Sequence, residues 1–196
     1  MTTSNSKKLN KLVGMAILVA IIIVLQVLSN FIKFGQVQIT LALAPIIVGA
    51  ALYGVGAGAL LGLVLGVVIL VSGLVGIDGG FMLLLLGANP VFAVIVCLGK
   101  STVAGLLAGI VYKLIAKKND LAAVIVAGVV CPVTNTGLFL VGMFAFFMPL
   151  LENFAAGQNV LTFAIVGLVG INFLIEFAVN LVLSSTISRI IKTVKK

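Results

Sequence analysis

The sequence predicts an all-α membrane protein with six transmembrane helices and both termini in the cytoplasm. Three observations carry this. Of 196 residues, 63% are hydrophobic and only 8% charged, whereas about a quarter of the residues in soluble domains are charged. The uncharged runs are long enough to cross a bilayer, for which a helix needs about 20 residues. Ten of the twelve lysines and arginines fall at alternate ends of these runs, the arrangement that holds such connections on the cytoplasmic side. Soluble enzymes and nucleic-acid-binding domains are therefore excluded. The net charge of +8 reads as a topology signal.

The charges mark the spans in order. Lys11 and Lys33 enclose 21 uncharged residues, Lys33 and Asp78 enclose 44, Asp78 and Lys100 enclose 21, and Asp120 and Glu152 enclose 31. The longest run must hold two spans, and its closely spaced glycines, Tyr53-Gly54-Val55-Gly56-Ala57-Gly58, supply the turn between them. The predicted helices occupy 12–32, 39–54, 57–74, 90–115, 121–148 and 162–188, in a single integral membrane domain. Lys7, Lys8 and Lys11 precede the first, Lys113, Lys117 and Lys118 follow the fourth, and Arg189, Lys192, Lys195 and Lys196 follow the sixth.

Each helix has its own signature. The apolar stretch Leu12–Ile32 is longer than a signal-peptide core and no small-x-small cleavage site follows before Lys33, so the first helix is expected to be retained. Its Ala16 and Ala20 make a flat face that serves either this bundle or a second membrane protein. In the second helix, Pro45 among apolar neighbours predicts a kink. Gly58, Gly62 and Gly66 in the third and Gly105 and Gly109 in the fourth form small-xxx-small faces, which let backbones approach closely in lipid. The fifth contains Cys131-Pro132-Val133-Thr134-Asn135-Thr136-Gly137. There Pro132 cannot bond the Gly128 carbonyl, giving either a simple kink or a broken helix beside a polar cavity. In the sixth, Asn172, Glu176 and Asn180 keep within about 80° of one face.

The outer connections and buried charges point to a pocket near the outer face. Ser72–Gly80 is a glycine-rich segment containing Asp78, the apolar run Phe81–Leu86 is too short to span, and Asn89-Pro90 opens the fourth helix. Gln36 and Gln38 lie at the turn from the first helix to the second, and Glu152–Asn159 joins the fifth to the sixth. Lys100 lies roughly 15 Å into the fourth helix and Glu176 roughly 21 Å into the sixth, at 1.5 Å per residue. A charge at that depth costs at least ~2.5–3.5 kcal/mol on insertion scales and needs a reason. The two can meet as a structural ion pair or can serve a ligand.

Histidine is absent, which removes histidine metal sites, Ser-His triads and imidazole acid–base chemistry. Cys97 and Cys131 are isolated from any C-x-x-C spacing and are expected to pack. No cofactor and no catalytic residue is called for. With no G-x-x-x-x-G-K-[ST] loop, any use of ATP must fall to a partner. A stand-alone secondary transporter remains an alternative, although internal repeats and coupling-ion carboxylates, expected of that class, are not evident.

The chain resembles the substrate-binding S components of energy-coupling factor (ECF) vitamin transporters. The resemblance rests on the lysine-led first helix with Ala16-x-x-x-Ala20, the entry Gln38-Ile39-Thr40-Leu41-Ala42-Leu43-Ala44-Pro45, the tract Gly49–Leu60 and the tract Ala104–Lys113. It implies a multi-pass protein of the prokaryotic plasma membrane that binds a vitamin from outside. It further implies docking on a transmembrane coupling subunit driven by two cytoplasmic ATPases, with Ala16 and Ala20 as the docking face. Cys131–Gly137 and Val169–Phe173 are similar to the pantothenate type; pyridoxine-like or riboflavin ligands stay open. On this reading Lys100 holds a carboxylate, and Asn135, Asn172 and Gln38 meet hydroxyl and amide groups. Glu176, Thr134, Asn89 and Asp78 complete the candidate contacts.

Overall fold

The structure, a computed structural model, describes residues 2–34 and 37–194, with the side chains of 8–32, 39–191 and 193. The apolar helices are α1 (Thr2–Ser29), α2 (Leu43–Tyr53), α3 (Val55–Leu74), α5 (Pro90–Ile115) and α6 (Asp120–Phe146), with a last composite span. Two short helices, α4 (Phe81–Ala88) and α7 (Met148–Ala155), lie in the connections where loops were expected. Among the described residues, five segments are long and apolar enough to cross a membrane: Lys8–Ser29, Val55–Leu74, Pro90–Ile115, Asp120–Phe146 and Val160–Ile191. Their outer faces expose large apolar side chains such as Ile17, Val24, Leu60, Val91 and Val182. In an all-α bundle of this composition these are the surfaces that meet lipid.

The sixth apolar helix differs from the expected 39–54. At 11 residues, α2 rises only about 16 Å at 1.5 Å per residue, roughly half of the bilayer core. Leu43 through Ala51 are all buried, so α2 is a plug inside the bundle. The chain reaches it by ending α1 at Ser29, three residues early. The Ser29 hydroxyl donates to Leu25 O at 2.7 Å and accepts the Leu41 N–H at 3.3 Å. A two-residue antiparallel hairpin, β1 (Lys33–Phe34) with β2 (Val37–Gln38), fills the gap. Pro45 lies in the first turn of α2, where no N–H is needed, so the expected kink does not arise. Gly54 alone, at φ 96°, turns the chain into α3.

The glycine faces do what their spacing predicts. A Cβ at Gly58 would lie 2.8 Å from the Ala50 Cβ and against the Gly105 carbonyl, and one at Gly66 would lie 2.9 Å from the Leu98 Cα. α3 and α5 therefore pack backbone to backbone.

Pro132 leaves α6 continuous from Asp120 to Phe146; the interruption falls in the last span instead. There α8 (Val160–Thr162) passes into a π-helical turn, Phe163–Leu168, before α9 (Gly170–Val194). A Cβ at Gly170 would lie 2.9 Å from the Ile165 carbonyl oxygen, so the widened turn closes only over glycine. The expected loop Glu152–Asn159 is half helix: α7 ends at Ala155, and Ala156 and Gly157 turn through positive φ of 48° and 87°.

Two apolar clusters stack along the bundle. One gathers α2 with Leu65, Ala104, Tyr112, Cys131 and Ile187, at the end that carries most of the lysines. The other gathers Met82, Ala93, Cys97, Phe139, Phe147 and Leu168, at the opposite end. On α5 the first begins at Ala104 and the second stops at Cys97; on α6 they meet between Cys131 and Phe139.

Candidate functional site

The gap between the clusters is polar. Lys100 and Ser101 fall in it from α5, Asn135 and Thr136 from α6, and Asn172 and Glu176 from α9. Asn135, Asn172 and Glu176 are only 2%, 3% and 4% exposed. The three helices thus bring polar side chains from distant sequence positions to one level of an oily bundle.

Two adjoining cavities open at this level. The inner one, a cavity of about 30 Å³, is lined by Lys100, Asn135, Thr136, Asn172, Glu176 and Thr40, closed by Phe139, Val169 and Phe173. The outer one, a cavity of about 60 Å³, lies beneath α4 and is lined chiefly by Ile69, Phe81, Met82, Leu85, Ala93 and Cys97. Thr40, Lys100 and Phe139 belong to both, so the cavities form one chamber divided at Lys100.

Each charged group is held differently. Glu176 Oε1 accepts the Thr40 N–H at 2.6 Å, which fastens α9 to the entry of α2. Its Oε2 is buried with no hydrogen-bond partner among the described residues. Asp78 accepts the Gly80 N–H on Oδ1 at 2.9 Å and the Met82 N–H on Oδ2 at 2.7 Å. It thereby anchors the start of α4 between Gly76, Gly79 and Gly80, all at positive φ. The Lys100 ammonium lies 5.1 Å from the Phe139 ring centroid. Among the described residues it has no carboxylate oxygen within 4.0 Å. Ser101 Oγ donates to Asn135 Oδ1 at 3.4 Å, which ties α5 to α6 beside it.

The chain matches the family model described as ECF transporter, substrate-specific component, over residues 10–188. It belongs to that family. No curated protein and no solved structure matches it. The family is a substrate-binding part of a membrane transporter and not an enzyme, and this S component is accordingly a multi-pass membrane protein.

Of the sequence-selected residues, the structure brings Lys100, Asn135, Asn172, Glu176 and Asp78 to the chamber. Two others go elsewhere. Asn89 is the N-cap of α5, its side chain accepting the Phe92 N–H at 3.3 Å, and Thr134 lines neither cavity, because its neighbour Thr136 takes that face of α6. Gln38 lies in β2, its side chain outside those described, and Gln36 lies outside the described residues. Ala16 and Ala20 are exposed on the outer face of α1.

Sequence reasoning missed Gln26, Thr40, Thr136 and Phe139, which all line the chamber. Signals existed for two of them. Phe139 follows Asn135 by one helical turn, and Gln26 is a polar residue deep in an otherwise apolar span.

Proposed function

We propose that this S component is the high-affinity receptor for pantothenate in an ATP-driven ECF importer, taking its ligand from the outer face. One observation carries the reading: Lys100 borders both cavities and makes no direct ion pair among the described residues, so its ammonium is open to a ligand carboxylate. Pantothenate has one carboxylate, one amide and two hydroxyls. Its carboxylate at Lys100 makes a charge-assisted contact, while Asn135, Asn172 and the unspent Glu176 Oε2 meet the amide and hydroxyls. A neutral pyridoxine-like or flavin ligand would leave this half-buried ammonium without the direct charge-assisted contact that a carboxylate supplies. Lys100 and Glu176 line the same inner cavity without a direct ion-pair contact, which favours a ligand-binding role for Lys100 over a structural pair.

The transport cycle follows from the family reading. The basic ends face the cytoplasm by the positive-inside rule, and the chamber lies toward the other end, beneath α4 with its glycine-flanked base. The exposed Ala16–Ala20 face of α1 docks on a transmembrane coupling subunit, which two cytoplasmic ATPases drive; toppling of the docked receptor then presents the chamber inward. The test is thermal unfolding of the purified protein with pantothenate, pyridoxine and riboflavin. Stabilisation by pantothenate alone supports the assignment, and no shift with pantothenate ends it.

A further inference from the structure

The outer compartment of the chamber is chemically unlike the inner one. Ile69, Phe81, Met82, Leu85 and Ala93 form most of its walls, with Gln26, Thr40 and Asp78 as the polar groups besides Lys100, so it offers less to the diol or amide of a polar vitamin than the inner one does. Its acidic group, Asp78, has both carboxylate oxygens turned onto the backbone N–H groups of Gly80 and Met82. Yet Lys100 borders it, as it borders the inner compartment. A mostly apolar slot ending at a half-buried cation is complementary to an aliphatic chain ending in a carboxylate.

We propose that the compartment beneath α4 is a separate subsite for an aliphatic arm, and that the chamber takes linear aliphatic carboxylates as a second ligand class. The carboxylate lies at the Lys100 ammonium and the chain runs outward between Ile69, Ala93 and the underside of α4. The inference rests on the reading of Lys100 as the carboxylate anchor, but not on the identity of the vitamin in the inner compartment.

The experiment uses the full chain in phosphatidylcholine nanodiscs, titrated calorimetrically with butanoate, hexanoate and octanoate. 1-Octanol and octylamine serve as controls for partition into lipid. Affinity is expected to rise about fourfold for each methylene buried, with neither control saturating, and Lys100→Gln is expected to lower octanoate affinity at least tenfold. Ala93→Leu, which fills the slot, is expected to flatten the length series; Ile69→Phe tests the same point should the first variant not fold. A flat series in the wild type, an equal series for the alcohol, or a series that survives both filling variants overturns the proposal. Pantothenate is titrated in parallel. An intact length series without a pantothenate signal retires the vitamin assignment alone, whereas a pantothenate signal beside a flat series retires the subsite alone.

Discussion

Replacing Gly62 with alanine tests the backbone contact that sets the height of Lys100. A Cβ there would run into the Ser101 carbonyl, 2.8 Å from its carbon and 3.1 Å from the Thr102 Cα. All three obstacles are main-chain atoms of α5, so no side chain can swing away, and α3 and α5 must part. Overpacking of this kind costs about 1–3 kcal/mol. Because Ser101 follows Lys100 and bonds Asn135, the same displacement loosens the chamber. Thermal unfolding in a mild detergent should show Gly62→Ala well below wild type, with weakened ligand binding. Gly99→Ala is the matched control: it lies on α5 beside Lys100, but a Cβ there meets nothing within 4 Å. It should be neutral or gain up to about 1 kcal/mol from helix propensity. Equal unfolding temperatures for Gly62→Ala and wild type would refute the interlock.

Three further outcomes are expected. Glu176→Ala strands the buried Thr40 N–H at a cost of about 1–3 kcal/mol, and Glu176→Gln, which keeps an acceptor there, should recover most of the lost unfolding temperature. Asp78→Ala frees the start of α4 from two N–H contacts; stopped-flow dissociation of ligand should quicken severalfold, and an unchanged rate would show that α4 does not cover the chamber. Ala16→Leu with Ala20→Leu, on the exposed face of α1, should abolish co-purification with the coupling module while equilibrium ligand binding stays at the wild-type level; retained co-purification moves the docking face elsewhere.

The parts of the architecture written in local chemistry were legible in the sequence. Uncharged runs bounded by charged residues marked the long spans, and G-x-x-x-G spacing marked the α3–α5 contact, since both follow from one helix and its solvent. The short α2 was not legible as a plug. Its apolar sequence satisfies lipid and protein interior alike, and only the Ser29–Leu41 bond, set by tertiary contact, shows that the chain descends late. The π-helical turn was hidden for a similar reason: Gly170 marks it only once Ile165 is placed against it. In the chamber, polar residues within the spans betrayed themselves because a span tolerates few of them, hence Lys100, Asn135, Asn172 and Glu176. Thr134 and Thr136 could not be told apart, as the face of α6 turned inward depends on how the proline-bearing helix packs.

The central claim is that Lys100 receives the carboxylate of a small nutrient. Isothermal titration of pantothenate into wild-type protein and the Lys100→Gln variant, both shown folded by their unfolding temperatures, measures this directly. Loss of a charge-assisted contact worth roughly 1.5–3 kcal/mol should weaken binding by about 10- to 150-fold in the variant. Tight binding that survives the substitution undiminished contradicts the account.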